Sequence, residues 1–72
     1  MSPRNVRLSG KELIRVLAKF GFVVVRVKGS HHFLRSDDGR ATVVPVHRAE
    51  MLGPGLLRKI LKDTELTDDD LR

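Results

Sequence analysis

Phe22-Val23-Val24-Val25-Arg26-Val27-Lys28-Gly29-Ser30-His31-His32-Phe33-Leu34-Arg35 is the stretch that decides the fold. Phe22 to Val27 is dense in β-branched residues, whose stiff side chains suit a pleated surface, and it is too short for a helix. Gly29-Ser30 breaks the run, and His31 to Arg35 resumes an extended pattern, so two successive strands are expected. Asp37-Asp38-Gly39 comes next, with residue types that tolerate the positive φ of a tight hairpin. The following strand is read over Arg40 to Val46. Pro45 cannot donate to a ladder, so this strand lies at an edge or loses pairing by that position. The three strands form an antiparallel meander.

Working outward, Leu8-Ser9-Gly10-Lys11-Glu12-Leu13 reads as a helix start. Ser9 can cap the amide of Glu12 while the Glu12 carboxylate reaches back to the amide of Ser9, and Leu8 and Leu13 stand where a hydrophobic staple needs them. Leu13, Ile14, Leu17 and Ala18 recur at helical spacing, and Gly21 supplies a left-handed stop, so a helix is expected over 9–20. On the other side, after a loop from His47 to Gly53, Pro54 opens a second helix over 54–63, with Leu56, Leu57, Ile60 and Leu61 as its apolar stripe. Thr67 and the acids after it permit a short terminal turn anchored by Leu71 alone, or a frayed tail. The order is α-β-β-β-α in one domain over 1–72: an α+β fold with a three-stranded antiparallel sheet and two helices on one face, the topology of double-stranded RNA-binding domains.

Composition limits the chemistry. The chain has 72 residues and no cysteine, which excludes disulfides, thiolate metal sites and cysteine nucleophiles. The longest apolar run, Phe22 to Val25, is far short of the roughly 20 residues that span a bilayer, and no apolar signal core precedes it, so a soluble cytoplasmic protein with no membrane partner is expected. Charge is split: residues 1–62 carry thirteen Lys or Arg against four acids, a net of +9, whereas residues 63–72 carry a net of −4. A basic body this small attracts polyanions, nucleic acid above all.

Reactive side chains crowd only at Lys28-Gly29-Ser30-His31-His32. Strand alternation sends His31 and His32 to opposite faces, so they do not share one metal ion, and the spacings around His47 and Asp37-Asp38 match no zinc pattern. Ser30 and His31 are neighbours on an extended chain and do not point at each other, which argues against a serine nucleophile. Cleavage of RNA needs less apparatus. The 2′-hydroxyl is a built-in nucleophile, so one histidine to move a proton and cations to hold the phosphate suffice, and Arg26, Lys28 and Arg35 are close in sequence. Phe20, Phe22 and Phe33 are the only aromatic residues, and at least two are expected in the core, which argues against a base-stacking platform and for recognition of backbone or shape. The residues alone leave a nuclease, a non-catalytic RNA-binding module and a protein-binding adaptor open.

Gly10-Lys11-Glu12-Leu13-Ile14, Phe20-Gly21-Phe22, Arg26 to Phe33, Asp38-Gly39-Arg40, Val43-Val44-Pro45-Val46-His47 and Leu57-Arg58-Lys59-Ile60-Leu61, in this order and spacing, resemble the HicA (YcfA-like) toxins of toxin-antitoxin modules, from about residue 8 to residue 67. The resemblance implies an mRNA interferase with a double-stranded RNA-binding-like fold, no metal or other cofactor, and a HicB-type antitoxin that covers the active site. It places the catalytic histidine at His31, gives its neighbour His32 a supporting role at most, and gives His47 a structural or RNA-positioning role. Around His31, the residues Arg26, Lys28, Gly29, Ser30, Arg35 and His32 are expected to bind RNA or stabilise its phosphate. The second helix here opens on Pro54-Gly55-Leu56-Leu57 rather than on a lysine cluster, so single-stranded message is the expected substrate.

Overall fold

Ser9 caps the first helix, α1 (Gly10–Lys19), in the computed structural model, which describes residues 7–71. The hydroxyl of Ser9 accepts from the Glu12 amide at 3.2 Å, and the Glu12 carboxylate accepts from the Ser9 amide at 2.9 Å. Both halves of the reciprocal cap are therefore made. Leu8 packs against the cluster that holds Leu13, as the staple requires. At the other end Gly21, at φ 90°, donates to the Ala18 carbonyl, and Phe22 donates to that of Leu17. This paired closure is the Schellman geometry, and it turns Phe22 back under the helix beside Leu17.

The sheet follows as β1 (Val23–Lys28), β2 (His31–Arg35) and β3 (Ala41–Pro45), antiparallel in the order β1-β2-β3. α2 (Pro54–Thr64) and a 3₁₀ turn (Asp68–Leu71) complete the chain. Pro45 thus ends an edge strand, where its missing N–H costs nothing. The expected strand starting at Phe22 begins one residue later, because Phe22 is consumed by the helix closure and buried in the core. Leu71 is only 5% exposed and joins the same core, so this part of the tail is anchored rather than frayed. The ends of the expected 1–72 domain, residues 1–6 and 72, lie outside the described residues.

Leu13 and Leu17 of α1, Leu57 and Ile60 of α2, and Leu34 and Val44 of the sheet form one cluster. Both helices therefore cover the same face, the one to which Leu34 and Val44 point. They lie over the β2–β3 side, and β1 stays exposed along its whole length. Val23, Val25 and Val27 are each more than half exposed. The residue pairing slips between Val24 and Arg26, leaving Val25 as the extra residue of a β-bulge.

Candidate nucleic-acid interface

The two strands β1 and β2 are joined by two residues, Gly29 and Ser30, with Gly29 at φ 60° and Ser30 outside the positive region. This is the pattern of a type II′ hairpin turn, which requires glycine at its first central position. Lys28 and His31 close the turn as a direct cross-strand pair. The Ser30 carbonyl accepts from the Val46 amide at 2.8 Å and from His32 Nδ1 at 3.2 Å, so the turn is fastened to the end of β3. A carbonyl can only accept, which places the proton on His32 Nδ1.

Register decides which side chains meet. Paired residues share a face, and alternate residues along a strand change face. Leu34 points to the helices, so His31, Phe33 and Arg35 point away from them, into the helix-free face. Opposite them stand Lys28, Arg26 and Val23 on β1, and Pro45, Val43 and Ala41 on β3. The two-residue turn sets Lys28 opposite His31 and Arg26 opposite Phe33, and the bulge at Val25 acts beyond them. Without the bulge that register would pair Val25 with Leu34 and Val24 with Arg35; with it, Val24 stands opposite Leu34 and Val23 opposite Arg35.

His31 is exposed and next to Lys28. Arg26 is one pair further along, its guanidinium 5.5 Å from the centre of the Phe33 ring. Arg35 is at the far end of β2, four residues from His31 and thus about 13 Å away, too far to hold the same phosphate. No ion pair engages Arg26, Lys28 or Arg35 among the described residues. His32 is half-buried on the opposite face, bonded to the turn, and does not converge with His31. His47 lies beyond β3, exposed at the rim of a small depression of about 170 Å³ with Glu50, Met51 and Leu56. No three His, Cys, Asp or Glu side chains converge among the described residues.

Only Phe22 of the three phenylalanines is in the core, which corrects the expectation of at least two. Phe20 is 37% exposed at the end of α1, and Phe33 is half-buried on the helix-free face. The alternation that separates His31 from His32 also places Phe33 on the same face as His31. A depression of about 560 Å³ takes in Leu34, Thr42, Lys59 and Asp63, which belong to the helix-covered side of the sheet, together with strand residues such as Arg26 and Phe33, so it is not confined to the helix-free face.

Asp38 and Arg40, prominent in the sequence, serve the fold. Asp38 Oδ1 accepts from the Ser36 hydroxyl, and Arg40 pairs with Asp38 at 2.9 Å while its guanidinium sits 5.0 Å from the Phe22 ring and donates to the Thr64 carbonyl at the end of α2. A cation there also suits the negative end of the helix dipole. The Ser36 hydroxyl, followed by Arg40, holds the Asp38 carboxyl down at about 2. Asp63 is likewise lowered, first by Lys59 and then by the Thr42 hydroxyl.

Two helices on one face of a three-stranded antiparallel sheet, with a histidine and cations on the other, define a small α+β domain of double-stranded RNA-binding topology. Residues 10–66 match the family model described as the HicA toxin of bacterial toxin-antitoxin, and the chain belongs to that family. No curated protein matches it. No helix among the described residues is long and apolar enough to cross a membrane.

Proposed function

We propose that this toxin is an endoribonuclease that cleaves single-stranded mRNA without a metal, with His31 as its proton-transfer group. The observation that carries the reading is the Lys28–His31 pair, exposed on the helix-free face at a turn that only glycine permits. His31 takes the proton from a 2′-hydroxyl, and the oxygen so freed attacks the adjacent phosphorus. The bond to the 5′-oxygen then breaks, that oxygen gains a proton from water or from the imidazolium, and a 2′,3′-cyclic phosphate remains. The Lys28 ammonium stabilises charge building on the non-bridging oxygens, and Gly29 leaves the backbone open to the phosphate. Arg26 and Arg35 hold the strand further along, while His32 supports the turn from behind.

A HicB-type antitoxin of net negative charge would cover this face and silence it. Opposite charge is what a surface with unpaired Arg26, Lys28 and Arg35 needs in order to be buried, and it speeds encounter as well.

His31→Ala is the test. Proton transfer by a positioned side chain is worth about 10²–10⁴-fold, so the purified variant should keep its circular dichroism spectrum, keep RNA binding and lose cleavage by that factor. His32→Ala should retain cleavage more nearly. Cleavage at the wild-type rate by folded His31→Ala would remove the assignment, and wild-type RNA binding without any cleavage would leave a binding module.

A further inference from the structure

We infer that Phe33 is a stacking platform for an unpaired RNA base, so that the substrate strand runs along β2 over the helix-free face from His31 toward Arg35. The inference rests on the nuclease reading above and adds how that site grips its substrate.

Three features converge on Phe33. It is two residues from His31 on the same face, about 7 Å along the strand. Its ring is half-buried rather than packed into the core, on the sheet face that neither helix covers. An open sheet face suits an extended strand passing over it better than a compact ligand. The Arg26 guanidinium already lies 5.5 Å from the centre of the ring, a cation–π contact of the kind found where bases stack on aromatic and arginine side chains.

Charge and the exposed ring together fit nucleic acid as the occupant. Lys28, Arg26 and Arg35 flank the ring along both strands, and none is ion-paired among the described residues. An aromatic ring set among cations fits a ligand that alternates flat apolar bases with phosphates, because every base offers a π-face and each step a negative charge. A duplex keeps its bases stacked on one another and cannot use such a ring. The platform therefore selects single strands.

The experiment uses the full chain in a His31→Ala background, so that RNA stays intact, with a single-stranded oligoribonucleotide carrying 2-aminopurine and its duplex counterpart. The protein has no Trp or Tyr, so the fluorescent base is read without interference. Binding should quench the single strand's fluorescence through stacking. Adding Phe33→Ala should remove the quench and weaken binding about tenfold, equal to ~1.4 kcal/mol and within the range for one stacked base. The salt dependence of binding should stay unchanged, since no phosphate contact is lost. Phe33→Trp should preserve quench and affinity, whereas Phe33→Leu, which keeps apolar bulk, should not. Full binding and quench in Phe33→Leu would overturn the platform, as would Phe33→Ala leaving RNA affinity intact while loosening a bound antitoxin. If the wild type cleaves RNA and the Phe33 variants bind it normally, only the platform falls. If the wild type neither binds nor cleaves RNA, the functional reading falls and takes the platform with it.

Discussion

Gly10, in the first turn of α1, rests against the carbonyl of Pro45 so closely that a β-carbon there would lie 2.1 Å from its oxygen. The obstacle is backbone, which cannot swing aside as a flexible side chain could. This contact seats α1 on the end of β3, at the residue that pairs with His31. Glycine at this position is therefore a packing requirement.

Gly10→Ala is expected to destabilise the domain by about 1–3 kcal/mol, the usual cost of overpacking, despite alanine's better helix propensity. Gly55 is the control. It occupies the first turn of α2 with nothing within 4 Å of an added β-carbon, so Gly55→Ala should stabilise by about 0.5 kcal/mol. Urea denaturation of the two variants checks the contrast in sign.

Glu65 closes α2 at φ 60°, in the left-handed region, with the Leu66 amide donating to the Leu61 carbonyl and its own amide to that of Lys62. This is the geometry that Gly21 gives α1, built on a residue with a β-carbon. Left-handed backbone costs a non-glycine residue about 1–2 kcal/mol, and glycine returns part of the gain as unfolded-state entropy. Glu65→Gly should therefore raise stability by roughly 0.5 kcal/mol, measured as a higher urea midpoint with unchanged slope.

Asp38 confers acid sensitivity. Its carboxyl titrates at about 2 in the fold against an ordinary 3.8, because the Ser36 hydroxyl and Arg40 favour the charged form. A lowered folded value means a stabilisation that is complete above about pH 4 and is lost as pH falls toward 2. Asp63 acts with the same sign. Stability should fall across that window, and Asp38→Asn should flatten the fall, as thermal unfolding at pH 2, 3, 4 and 5 would show. A variant as steep as the wild type would assign the acid limb elsewhere.

RNA affinity should drop as salt rises, with a log–log slope of about −0.7 for each phosphate held on a single strand. Arg35→Ala and Lys28→Ala should each make the slope shallower by about that amount. Only Lys28→Ala should also slow single-turnover cleavage, because Lys28 pairs with His31 whereas Arg35 stands at the far end of the strand. Filter binding across a salt series, with cleavage measured at saturation, separates the two roles.

The order of elements and the places where they end were settled by local chemistry in the sequence: the Ser9–Glu12 cap, the Gly21 stop, the β-branched run from Val23, the Gly29 and Gly39 turns, and Pro54 opening α2. These signals depend on neighbours within a few residues, so they act before the chain has folded. The separation of His31 from His32 was equally legible, since alternation along one strand needs no partner. What lies beyond the bulge was not. A two-residue turn at Gly29-Ser30 puts Lys28 opposite His31 and Arg26 opposite Phe33, but the alternation gives no sign that Val25 bulges out and that Val24, not Val25, stands opposite Leu34. Phe33 stays out of the core for a related reason: the helices cover only the face to which Leu34 and Val44 point. Pairing register and the side on which helices settle belong to contacts between distant segments, and in this protein they turn a histidine strand and a basic strand into one surface.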